Sequence, residues 1–174
     1  MIYIVRHGQT DWNIKELYQG ASNIELNEFG RSQALELKKL LSGIKFDEVI
    51  SSPLIRAYET ATIITGNTNI KIDSRLIERI GGNLEGKPLK EAFDMVDFND
   101  PDEHRYNVEN VVDFKKRIAS FVDEIKKNYQ GKNLLIVTHA GVCVYIRCCF
   151  EGEPEDKDYL KYKIGNCEII KYEN

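Results

Sequence analysis

Short apolar runs alternate with longer amphipathic stretches along this chain, and no other property limits its choice of fold so strongly. IYIV (2–5), EVI (48–50), NIKI (69–72), NLLIVT (133–138) and CEIIKY (167–172) are brief and rich in β-branched or aromatic residues, as strands are. Between them, apolar residues recur every three or four positions, which predicts helices with one buried face. Ala34, Leu37 and Leu41 form one stripe, and Leu54, Ala57, Ala61 and Ile64 form a second. Val111, Phe114, Ile118, Phe121, Val122 and Ile125 form the clearest, and a fourth helix is expected after THAG (138–141). Ser52 is expected to cap the second helix, with Pro53 at its first position and Gly66 past its end, and Asn110 to cap the third. Such alternation places helices on both faces of a mostly parallel sheet. The expected fold class is therefore α/β, a three-layer α/β/α sandwich. With 174 residues, 42% of them hydrophobic, the chain can bury one sizeable core, so a single domain over 1–174 is expected.

Residues 77–109 break the pattern. They show no clear periodicity and hold Gly81, Gly82, Gly86, Pro88 and Pro101, so they read as an insertion, a short cap. Asp94, Asp97, Asp100, Asp102 and Glu103 make its tip acidic. A net charge of −4 argues against a nucleic-acid partner, which needs a basic face. No basic segment leads into an apolar stretch at the start, and no apolar run approaches membrane-spanning length, so the expectation is a soluble cytoplasmic protein with no membrane partner. Cys143, Cys148 and Cys149 share one short segment and only Cys167 is distant; no CxxC pair exists, so they read as small hydrophobes rather than a disulfide framework or a zinc site.

The polar residues that interrupt the apolar runs fall at strand ends. Arg6 and His7 close the first strand, Ser51, Ser52 and Arg56 lie where the second enters its helix, Glu78 follows the third, and His139 closes the fourth. Ligands of open α/β sheets bind outside the carboxyl ends of the strands, so these residues are expected to converge. Their chemistry points to phosphate. Two guanidinium forks match phosphoryl oxygens, the N–H groups at the SPLIR helix start favour an anion, and Gly8 permits close approach. A neutral His7 can attack phosphorus, His139 can donate to the phosphoryl oxygens, and Glu78 can protonate the leaving alkoxide and later activate water. The chain contains no GxxxxGK[ST], no GxGxxG after the first strand and no GxSxG. His7 and His139 could instead ligate a metal, but no well-spaced third ligand accompanies them.

VRHGQTDWN (5–13) resembles the signature segment of the histidine phosphatase superfamily, also called phosphoglycerate mutase-like. QGASNIELNEFGRSQA (19–34), SSPLIRAYETA (51–61), RLIERIGGNLEGK (75–87) and VTHAGV (137–142) resemble its further motifs, so the likeness spans nearly the whole chain. The resemblance makes His7 the nucleophile, Glu78 the proton donor, and Arg6, Arg56 and His139 the catalytic phosphate pocket. It adds Gly8, Asn13, Gln19, Gly20 and Ala140 to the residues that bind phosphate or substrate. It implies no cofactor and no metal. Departures from the family pattern include Asn27, expected to cap a helix in place of threonine, VEN (108–110) where Gly-Glu-Ser is usual, and Asn83 and Leu84 before Glu85-Gly86. The expected activity is a metal-independent phosphomonoester hydrolase working through a phosphohistidine on a small-molecule ester, akin to the α-ribazole and broad-specificity phosphatases. The alternatives are a cofactor-dependent phosphoglycerate mutase, disfavoured by an acidic tip if it overhangs the pocket, and a non-catalytic phosphoprotein-binding module, disfavoured because His7 and Glu78 are both present. The sequence leaves the substrate and the oligomeric state open.

Overall fold

The computed structural model describes residues 1–173. The chain runs from β1 (Ile2–Arg6) through a single turn, α1 (Asp11–Ile14), to α2 (Glu28–Leu40), β2 (Glu48–Ser51), α3 (Ile55–Thr65) and β3 (Lys71–Ile72). After α4 (Leu89–Met95) come α5 (Val111–Asn128), β4 (Leu134–Thr138), α6 (Ala140–Glu151) and β5 (Ile169–Tyr172). The strands lie in the order β3-β2-β4-β1-β5, and the first four are parallel. β5 is the exception. It pairs antiparallel to β1, because the segment after α6 returns to the carboxyl edge of the sheet, where Ile164 O accepts from Arg6 Nη1 at 2.8 Å, and β5 enters from there.

Alternation along β1 and β4 divides the core into two layers. Ile2, Ile4, Leu134 and Ile136 pack with Phe114, Ile118 and Phe121 of α5 and Val142 and Ile146 of α6, whereas Tyr3, Val5, Leu135 and Val137 pack with Leu37 of α2 and Ala57, Ala61 and Ile64 of α3. Successive strand side chains point to opposite faces, so a strand buried on both faces is almost continuously apolar, and the one polar residue of β4, Thr138, donates its hydroxyl to Leu76 O at 2.8 Å. Every residue of β4 is buried.

Asn27 caps α2 by accepting from Gly30 N at 2.8 Å, and Asn110 caps α5 by accepting from Val112 N at 2.8 Å, as expected. The start of α3 differs. Ser52 and Pro53 lie outside the helix, which begins at Ile55 with Leu54 as the capping residue, because the Ser52 hydroxyl is committed to the site described below. Gly66 ends α3 in the left-handed conformation. The insertion is better ordered than its sequence pattern implies. One-turn 3-10 helices at Gly82–Leu84 and Arg105–Asn107 flank α4, and Leu84, Ala92, Val96, Phe98 and Val108 form a small apolar cluster with Tyr18 from the main body.

Candidate active site

Pairing of β1 with β4 puts Arg6 beside Thr138, so the next residues, His7 and His139, leave the sheet side by side. His7 N–H donates to Thr138 O at 2.9 Å. Both rings are buried, with centroids 5.2 Å apart. His7 Nδ1 lies 2.7 Å from Gly8 O. A carbonyl only accepts, so Nδ1 carries the proton and a neutral ring keeps its lone pair on Nε2. His139 Nε2 lies 2.8 Å from Ser52 Oγ, which already accepts from Leu54 N at 3.3 Å. The hydroxyl has a proton to give to Nε2, and in that arrangement the ring proton sits on Nδ1, which has no protein partner. Burial first, then the charge of Arg56, holds both imidazoles well below their ordinary value of 6.5. Both are neutral at physiological pH.

Arg56 is fully buried on α3 and donates through Nη1 to Ser22 O (2.6 Å) and Nη2 to Gly20 O (2.8 Å). These bonds lock the guanidinium in place. Burial lowers its pKa to about 10 and lowers that of Arg6 as well, yet Arg56 remains a cation near neutrality. Arg6 Nε, Arg56 Nε and His139 Nδ1 are buried donors without an acceptor. Leaving such a group unpaired costs about 1–3 kcal/mol, more when it is charged, and an anion seated among them would relieve that cost. This cluster fits a phosphoryl group.

Glu78 approaches from the insertion side. Its carboxylate accepts from Arg79 N and from Gly141 N, each at 2.9 Å, and so sits at the positive end of α6. A side chain at Gly141 would come within 2.6 Å of Glu78 Oε1; glycine is what lets the carboxylate reach the helix terminus. Arg6, His7, Asn13, Gln19, Gly20, Arg56, Glu78 and Ala140 all line one cleft of about 530 Å3. The sequence thus placed eight of its ten site residues around a common space.

The other two differ. His139 is fully buried with its ring centroid 5.2 Å from that of His7, and it does not line the open cleft. Gly8 is small for a different reason from close approach to a ligand: a Cβ there would meet Gly30 O of α2 at 2.5 Å, so it is backbone packing that requires the glycine. The N–H groups at the SPLIR helix start are also not presented to a ligand. Leu54 N and Ile55 N are taken by Ser52 Oγ and Asn23 Oδ1. The acidic tip does not face the cleft either. Asp94 and Asp97 border an adjoining depression that shares Phe93, Phe98 and Asn99 with the cleft but not His7 or Glu78, and Glu103 is ion-paired to Arg105. The insertion overhangs the site through Leu89, Phe93, Phe98 and Asn99 instead, so the electrostatic argument against a mutase does not hold for this chain.

Sequence reasoning missed several supporting residues. Asn166 Nδ2 donates to His7 O at 2.9 Å and to Asn13 Oδ1 at 3.3 Å. Thr60 Oγ1 accepts from Gly8 N at 3.0 Å and donates to Arg56 O at 2.6 Å, tying the β1 loop to α3. Neither had a recognisable sequence signal, since an asparagine in a loop or a threonine in a helix has many ordinary uses. Among the described residues, no three His, Cys, Asp or Glu side chains are grouped to hold a metal ion, and no helix is long and apolar enough to cross a membrane.

A parallel α/β sandwich that presents paired histidines and arginines at the carboxyl edge of its sheet defines an enzyme of phosphoryl-group chemistry. The chain belongs to the histidine phosphatase superfamily (branch 1), whose family model matches residues 2–174, and it is a phosphatase of that superfamily. It is 32% identical over 157 residues to the uncharacterized phosphatase PhoE of Bacillus subtilis, covering 88% of this chain and 79% of that protein. It is 30% identical over 180 residues to phosphoserine phosphatase 1 of Hydrogenobacter thermophilus, covering 98% and 83%. In three dimensions it resembles the α-ribazole phosphatase of Shigella flexneri, with a TM-score of 0.82, 26% identity and coverage of 95% of this chain and 86% of that one.

Proposed function

We propose that this chain hydrolyses small phosphate monoesters by transferring the phosphoryl group to His7. His7 Nε2 attacks phosphorus, the ester P–O bond breaks, and Glu78 in its acid form gives its proton to the departing alkoxide. Water then attacks the phosphohistidine, leaves its proton on the Glu78 carboxylate and releases inorganic phosphate. Arg6, Arg56 and the His139 Nδ1–H donate to the phosphoryl oxygens throughout, Ala140 and Gly20 contribute backbone beside them, and Asn13 and Gln19 border the substrate. Fixed donors of this kind stabilise charge that develops in the transition state, and they supply the positive charge that a metal provides elsewhere. On this reading turnover persists in EDTA. Residues 1–174 act as one catalytic unit with residues 77–109 as its cap. Four free cysteines suit a reducing compartment, which is the basis for placing the enzyme in the cytoplasm.

The observation that carries this reading is the arrangement of the two buried rings: His7 directs its proton at Gly8 O and keeps a bare Nε2, while His139 Nδ1 has no protein partner. Acid-quench labelling with a 32P-ester tests it. Acid-labile, alkali-stable label on the wild type and none on His7→Ala is expected. Stable label on Ser51 or Cys143 would overturn the assignment.

A further inference from the structure

Beyond the phosphate-binding end, the cleft changes character. Tyr18 stacks on Phe98 with centroids 5.2 Å apart and planes inclined by 16°, and Phe93 meets Phe98 edge-on at 4.9 Å. Phe114 and Tyr145 stand perpendicular at 5.3 Å on the body side. Arg79 joins the two groups, its guanidinium 5.2 Å from the Phe98 ring and 5.8 Å from that of Phe114. Its Nε and Nη1 are spent on Glu109 O and Phe98 O, which ties the two ends and the middle of the cap together. All of these side chains line the cleft that contains His7 and Glu78.

We propose that this cleft selects phosphate esters whose alcohol carries an apolar body about the size of a ring, and that Phe93 is the residue that reads it. The proposal rests on the phosphatase reading above and specifies the substrate class of that same site. Tyr18 and Phe98 are already buried in the cluster of the cap, but Phe93 leaves 58% of its surface exposed, and Leu89 and Leu160 at the same cleft leave 36% and 75%. Apolar surface left open around a concave site is what an apolar ligand covers.

The competing class is an alcohol bearing a carboxylate, and the cations on the wall decide against it. Lys157 and Lys163 line the cleft but are exposed, and exposed charges are hydrated and screened by salt. Arg79 Nη2 is a buried donor without a partner, but with Nε and Nη1 already committed the one remaining nitrogen cannot present the two-nitrogen fork that grips a carboxylate. The rings offer far more contact area than this one donor.

The test compares kcat/KM for 2-phenylethyl phosphate, ethyl phosphate and O-phosphoserine on the full chain. All three leave as alkyl alkoxides, so intrinsic reactivity differs little and the ratios report recognition. Covering one phenyl ring is expected to favour 2-phenylethyl over ethyl phosphate by about 30-fold. Phe93→Ala should cut that ratio about tenfold, and Phe93→Tyr should restore it, since the exposed position leaves folding intact. A wild-type ratio near one, a ratio insensitive to Phe93→Ala, or phosphoserine ahead of 2-phenylethyl phosphate would overturn the proposal; the last would assign selection to Arg79. Absence of turnover on all three esters would overturn the phosphatase reading itself, and this inference with it.

Discussion

Replacing Ser52 by alanine tests whether the proton on His139 is placed by design of the site. The Ser52 hydroxyl is hydrogen-bonded to His139 Nε2 at 2.8 Å in a fully buried environment and also accepts from Leu54 N at the longer distance of 3.3 Å. Removing it strands His139 Nε2 and abolishes one marginal bond. A buried group left unsatisfied costs about 1–3 kcal/mol. For a chain of this size that lowers Tm by roughly 4–8 °C at the middle of the range, and the protein stays folded because typical stabilities are about 5–15 kcal/mol. The catalytic effect is separate. Without the hydroxyl, the His139 proton can move to Nε2, and the donor proposed to face the phosphoryl group is lost in part of the population. Complete loss of one such donor costs about 10²–10³ in kcat, so a fall of roughly 10- to 100-fold is expected for Ser52→Ala, with KM nearly unchanged. Ser52→Thr retains the hydroxyl and should recover most of the rate. Imidazole 15N spectra provide the decisive readout: wild-type His139 should carry its proton on Nδ1, and Ser52→Ala should shift it toward Nε2. The reasoning is refuted if kcat stays within about twofold while Tm falls, or if the wild-type proton resides on Nε2.

Glu78→Gln should cripple hydrolysis of alkyl phosphates yet spare the phosphorylation of His7 by an aryl phosphate, whose phenolate leaves without a proton; equal losses in pre-steady-state labelling by the two esters would remove Glu78 from the acid role. The histidines also predict how stability depends on pH. Both have folded pKa values below the ordinary 6.5, so between the folded and unfolded values the unfolded chain binds more protons. Their contribution is complete above pH 6.5 and is lost as pH falls beneath it, with a slope approaching about 2.7 kcal/mol per pH unit for two groups. Urea midpoints should drop from pH 7.5 to 5.5, and a midpoint that is constant or rises would contradict neutral, buried rings.

The sequence by itself determined the layers. Short, continuous apolar runs such as IYIV suit strands buried on both faces, the three-to-four spacing of Val111 through Ile125 follows from helix geometry, and chain order alone sends parallel strands through helices. It also determined where reactive residues sit, because strand ends in such a sheet share one edge. That is why His7, Arg56, Glu78 and His139, far apart in sequence, could be assembled without coordinates. What tertiary structure decided are relations that no local pattern encodes. Ser52 has the residue type and spacing of a helix cap, yet its hydroxyl serves His139, 87 positions away. Gly8 was legible as necessary but not why, since its reason is the Gly30 backbone across the α2 interface. The antiparallel entry of β5 depends on the path of residues 152–168. The acidic tip required the fold to set its direction, because charge along a sequence says nothing of orientation. The aromatic wall is the clearest case: Tyr18, Phe93, Phe98, Phe114 and Tyr145 belong to separate segments, and each looks like ordinary core material until packing brings their faces to one cleft.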